Sequence, residues 1–167
     1  IAGLPRPDPG GDGPTDTVRA IIDEVRAGGD AAVRSLTERF DGVDIADPRV
    51  GPADLDAALA AIPSELRAAL TEAAEAVRAF HVAQRRDDHI VTRGGITVTG
   101  RSVPVDRAGC YVPGGRGSYP SSVLMTVIPA RVAGVPEVVL SVPPDRETGA
   151  ISPVTLAAAA LAGVDEV

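Results

Sequence analysis

The chain has 167 residues, 44% hydrophobic and 23% charged, a length and balance able to bury the core of one domain or a small domain pair. Its net charge of −7 argues against a nucleic-acid binder, the absence of lysine blocks removes the usual signature of an anionic-membrane surface, and all sixteen basic residues are arginine. The single cysteine, Cys110, excludes an internal disulfide and a zinc knuckle, and no apolar run reaches the length of a membrane span, so the cytoplasm is the expected location.

Residues 1–14, "IAGLPRPDPGGDGP", are rich in Pro and Gly and read as a flexible arm. "TDTVRAIIDEVRAGGD" follows as a short helix, with Thr15 or Asp16 as its cap and Val18, Ile21, Ile22 and Val25 on one face. Gly28 and Gly29 end it, and Asp30 caps a second helix with Ala32, Val33, Leu36 and Phe40 inward, which stops at Asp41-Gly42. A third helix spans "PADLDAALAAI". The strongest helical signal is "PSELRAALTEAAEAVRAFHVAQRR", where Ser64 offers a cap and Leu66, Ala69, Leu70, Ala73, Val77 and Phe80 keep helical spacing.

The period then changes. "HIVTRGGITVTGRSVPVDRAGCYV" carries β-branched residues in short runs broken by Gly and Pro, which predicts two or three strands. From Gly109 the rhythm is βαβαβ: "GCYV", a glycine loop, the helix "SSVLMTVIPARVAG", the buried-type strand "EVVLSVPP", the helix "ISPVTLAAAALAG", and the strand start "VDEV". Gly134 and Gly163 stand where helices must turn at positive φ, and Pro129 implies a kink or a late start. The expected fold class is α/β, a helical N-terminal part followed by the start of an incomplete Rossmann-like parallel sheet with flanking helices. The expected divisions are 1–14, 15–100 and 101–167. The chain opens without Met and closes on the first residues of an apolar strand, which reads as a fragment of something longer.

The loop "VPGGRGSYP" joins a strand to a helix, a junction that aims backbone N–H groups at one point and suits an anion. The absence of lysine excludes a Walker loop, and Pro120 stands where the dinucleotide fingerprint needs a glycine after Gly114, Gly115 and Gly117. "GSYPSS" is not the elbow of a serine hydrolase. One reading is a plain turn. The other is a ligand loop, favoured by Tyr111, Arg116, Ser118, Tyr119, Ser121 and Ser122 gathering at the C-terminal edge of a parallel strand.

Elsewhere the residues read as structural. His89, with Asp87 and Asp88, starts a strand beside a solvated loop and lacks a third converging metal ligand, and His81 is a partly exposed histidine on the long helix. Cys110, alternating with Tyr111, faces the core and is not a nucleophile. Glu72, Glu75 and Arg78 form a solvated face, and Arg131 pairs at a helix end or reaches an interface.

The run "GCYVPGGRGSYPSSVLMTVIPARVAGVPEVVLSVPP", with "YVPGG", "PSSVLM" and "PARVAGV" in order, resembles the histidinol dehydrogenase family. "GGDAAVRSLTERFDGV", "ELRAALTEAAEAVRAFHVAQ" and the tail "LAAAALAGVDEV" resemble the same family, so the likeness covers all but the Pro/Gly arm. The resemblance implies a zinc-dependent, NAD-linked oxidoreductase acting on a CH–OH group. It would oxidise L-histidinol through the aldehyde to L-histidine, the last steps of histidine biosynthesis, as a homodimer. It places NAD against Tyr111 and Pro113, with Gly114 and Gly115 letting the backbone approach. Zinc ligands and the acid/base pair are expected beyond Val167, so the chain alone is expected to be inactive, with no catalytic or metal residue of its own. Two other readings stand beside it: a relative acting on another alcohol such as a sulfonated diol, and a non-catalytic α/β binding module.

Overall fold

The computed structural model describes residues 13–114 and 117–167. Of the predicted arm, residues 1–12 lie outside the described residues, and Gly13 and Pro14 open a helix. The described residues up to Pro48 form one compact unit and Arg49–Val167 a second.

The first unit is α1 (Gly13–Asp41), and it breaks where the sequence puts two glycines. Gly29 sits at φ 55°, ψ −140°, so two helical stretches meet at a kink. A side chain is strongly disfavoured in that backbone region, which is why glycine occupies it. Thr15 and Asp16 fall inside the first turn instead of capping it, and Asp16 pairs with Arg19 at 3.2 Å. Ala32 and Leu36 are buried as expected, whereas Phe40 is 51% exposed with the Arg39 guanidinium 4.4 Å above its ring. Its apolar face is shared with a cation instead of the core.

The second unit begins with α2 (Pro52–Ala61) and α3 (Ser64–Ala83). The N-cap of α3 is Pro63, not Ser64, and it makes no side-chain capping bond. The buried ridge of α3 is Leu66, Leu70, Ala74 and Val77. Ala69 and Ala73 are exposed and so is Phe80, because the face they share lies about one position round the helix from the packed one.

Two strands, β1 (His89–Arg93) and β2 (Ile96–Gly100), form an antiparallel hairpin closed by Gly94 and Gly95 at positive φ. Every residue of the hairpin is exposed except Gly100, which is half-buried under the His89 ring. β3 (Arg107–Tyr111) and β4 (Glu137–Ser141) are parallel, with Ala108 opposite Val138 and Cys110 opposite Leu140. The tail joins the far side of β4: Glu166 bridges Val139 in parallel, and the Leu140 amide donates to the Glu166 carbonyl at 2.9 Å. The predicted strand start at "VDEV" is thus present, and the fold is α/β as expected.

Between the strands run α4 (Pro120–Val132) and α5 (Pro153–Ala162), each opened by a proline whose missing N–H costs the first turn nothing. α4 runs through Pro129, which lies in its last turn. The core is aliphatic: Val112, Val123, Leu124, Val127, Ile128, Val138 and Leu140 are within 2% of complete burial. Ala157, Ala158, Ala159 and Ala162 let α5 approach closely, and α2 packs on α5 while α3 packs on α4. The four helices predicted before the strands therefore divide between the two units, with α2 and α3 packed on the helices of the second. Among the described residues, no helix is long and apolar enough to cross a membrane.

Candidate functional site

Strand alternation decides what β3 offers. Ala108 and Cys110 turn toward the packed face, where Cys110 is half-buried against the core, and Tyr111 turns the other way. The phenol is 65% exposed at the C-terminal end of the strand. Val112 is fully buried and continues the ladder, its amide donating to the Ser141 carbonyl at 3.0 Å. The chain leaves the sheet only after this anchor.

Beyond Val112 the loop passes the segment that follows β4. A Cβ on Gly114 would stand 2.8 Å from the Pro143 carbonyl oxygen, so only glycine permits this approach. The two segments and the start of α5 enclose a cleft of about 320 Å³ lined by Pro113, Gly114, Gly117, Ser118, Val142, Pro143, Asp145, Glu147, Ser152 and Thr155. Gly115 and Arg116 lie outside the described residues.

Asp145 orders the far wall. Its Oδ1 accepts from the Glu147 amide at 3.0 Å, the Thr148 amide at 2.9 Å and the Thr148 hydroxyl at 3.1 Å. The Thr148 amide, followed by its hydroxyl and the Glu147 amide, holds the Asp145 carboxyl below the ordinary aspartate range. The second oxygen, Oδ2, makes no hydrogen bond among those that hold the turn. α5 opens at this edge after Ser152, and Thr155 at its first turn is buried. The cleft therefore carries hydroxyl donors, carboxylate acceptors and the positive end of a helix, with an exposed phenol nearby.

The structure brings together Pro113, Gly114 and Ser118 from the predicted loop, whereas Tyr111, exposed at the end of β3, does not line the cleft. Tyr119 is the N-cap of α4, and its carbonyl accepts from the Ser122 amide at 3.0 Å. Ser122 in turn accepts from the Thr126 hydroxyl at 2.8 Å through its own carbonyl. The second wall, Pro143, Asp145, Ser152 and Thr155, was not singled out from the sequence. The signal for it is the end of the strand "EVVLSVPP", since ligands in parallel sheets gather at the C-terminal ends of adjacent strands. Arg131 lies at the other end of α4 and belongs to the packing, not to this cleft.

Among the described residues, no group of three or more His, Cys, Asp or Glu side chains could hold a metal ion. Asp88 is taken by Arg101 at 3.5 Å and by the Ser102 amide at 3.4 Å, and His89 stands exposed over Gly100. These residues do not fit zinc.

A family model described as histidinol dehydrogenase matches residues 6–167. The histidinol dehydrogenases of Methanosarcina mazei and Thermobifida fusca are 47% and 51% identical to the chain, over 91% and 99% of it. The matches cover 35% and 38% of those relatives. The crystal structure of histidinol dehydrogenase from Elizabethkingia anophelis superposes with a TM-score of 0.85 at 32% identity, covering 95% of this chain and 37% of that one. The chain spans a little over a third of the length of the relatives it matches.

Proposed function

Since the chain belongs to the histidinol dehydrogenase family, we propose that it supplies the cofactor-contacting part of an enzyme that oxidises L-histidinol to L-histidine with NAD. The observation that carries this reading is the exposed Tyr111 phenol at the end of β3, beside a cleft that Gly114 keeps narrow. In this reading residues 101–167 are the first part of the NAD-contacting domain, and the whole protein is a cytoplasmic homodimer that carries zinc on residues outside this chain.

The residues present fit a dinucleotide. Tyr111 offers a flat surface for a ring and one hydroxyl, and Pro113 adds an apolar contact on the cleft side. Asp145 Oδ2 and Glu147 offer acceptors to ribose hydroxyls, the role acidic residues have in dinucleotide sites generally. NAD supplies the hydride acceptor. This chain's part is to bind and orient it at the sheet edge, with the Asp145 turn holding one wall in place.

The test uses the full-length product of the gene with L-histidinol and NAD. Two NADH formed per histidinol, lost on treatment with a strong chelator and restored by zinc, support the reading. A folded, zinc-loaded protein that leaves histidinol untouched and oxidises a sulfonated diol would point to the other alcohol. Unchanged NAD affinity in Tyr111→Ala would remove the cofactor assignment.

A further inference from the structure

A second cleft, of about 620 Å³, opens at the C-terminal end of α3. Its polar lining is His81, Gln84, Arg85, Arg86, Arg101 and Ser102. No Asp or Glu lines it among the described residues, although acidic side chains outnumber basic ones 23 to 16 in the chain. Cations at a helix C-terminus are ordinary, since they offset the negative end of the helix dipole. That accounts for Arg85 and Arg86 but not for Arg101, which arrives from the separate segment after β2.

His81 Nδ1 and Gln84 Oε1 are 2.7 Å apart; with the imidazole donating, the Gln84 amide NH₂ is left as a donor. Arg101 spends its Nε on Asp88 at 3.5 Å, which leaves the outer nitrogens of the fork. Arg85 and Arg86 have no ion-pair partner among the described residues. The polar lining of the cleft is thus almost all donor, and its apolar lining includes Val103, Pro104 and Val132.

We propose that this cleft binds a small organic oxyanion, its phosphate or carboxylate head held by Arg85, Arg86 and Arg101 and its apolar body laid on Val103, Pro104 and Val132. Guanidinium forks suit such heads because each can donate two parallel hydrogen bonds to planar or tetrahedral oxygens. The site is built from α3, the segment after β2 and the end of α4, so it shares no lining residue with the cleft at the strand ends.

The experiment is calorimetric titration of the protein with inorganic pyrophosphate and, separately, with citrate, at fixed ionic strength so that screening does not change. Saturable binding is expected, weakened at least about tenfold in the double variant Arg85→Ser/Arg86→Ser and unchanged in Tyr111→Ala. Preference for pyrophosphate assigns a phosphate head, and preference for citrate a carboxylate one. Absence of saturable binding by both, or equal binding by the double variant, overturns the site. The Nε–H resonances of the wild-type arginines give a readout that does not depend on the variants folding: those of Arg85 and Arg86 should shift on adding pyrophosphate, and their failure to move overturns the proposal too.

Discussion

Arg131 and Asp165 form an ion pair that ties the end of α4 to the strand that follows α5. The same guanidinium donates from Nε to the Gly163 carbonyl at 2.8 Å and from Nη1 to the Pro136 carbonyl at 3.0 Å. Asp165 in turn accepts from the Val138 amide at 2.7 Å. Two helix ends and two strand starts therefore share one pair of side chains. Arg131→Met is expected to lower stability by about 1.5–3 kcal/mol, the usual range for hydrogen bonds to a charged group. A denaturant midpoint equal to that of the parent would show that the carbonyls are satisfied without it.

The same pair sets an acid limit. The Val138 amide, the largest cause, and Arg131 hold the Asp165 carboxyl below its ordinary value, while partial burial opposes them. A depressed folded value means the stabilisation is complete above the unfolded aspartate pKa of about 3.9 and is lost as pH falls through the lower folded value. Asp145 shifts in the same direction and adds to the slope. Unfolding midpoints measured from pH 5 downward should therefore fall, and fall less steeply in Asp165→Asn. An identical slope in that variant would assign the acid sensitivity to other carboxylates.

Gly29→Ala should destabilise the first unit by about 1–3 kcal/mol, because its backbone conformation is one that side chains rarely adopt. There is open space around that Cβ position, so the cost is conformational and not a clash. A circular-dichroism melt is the measurement. No loss of stability would mean that the helix straightens at little cost.

Gly114→Ala tests the narrow approach to Pro143. The added methyl must push the loop from the β4 side, at a cost of about 1–3 kcal/mol where backbone has to shift. NAD affinity of the full-length protein is expected to fall with it. Tyr111→Ala separates the two effects: the side chain is exposed, so stability should stay within about 0.5 kcal/mol while NAD binding weakens. Equal losses of stability in both variants would place Tyr111 in the packing instead.

Much of the fold was legible because its signals are local. The βαβαβ rhythm after Gly109, the positive-φ glycines Gly134 and Gly163, and the inward turn of Cys110 all follow from patterns only a few residues long. The sequence was less informative where alanine blurs a helix face. On α3 the alanines at 69, 73 and 74 are nearly interchangeable in periodicity, and Phe80 attracted a core role that packing gives to Val77. The candidate cleft was half legible. Tyr111, Pro113 and Gly114 stand out in one loop, but Asp145 and Thr155 join them only when β4 is laid parallel to β3, a pairing 30 residues distant in sequence. Arg131 resisted reading because three of its partners are backbone carbonyls from two separate segments, and any residue type can supply a carbonyl.

The β1–β2 hairpin, wet on both faces, has a consequence for how the molecule opens. An isolated two-stranded ribbon is marginally stable in water, and the cross-strand neighbours Val91 and Val98 are 60% and 63% exposed. Separating the strands therefore costs little and leaves the aliphatic core intact. In amide hydrogen exchange the hairpin should behave as its own small cooperative unit, releasing protection long before β3 and β4. A protease working on the native protein should cut there before it cuts within β3 or β4.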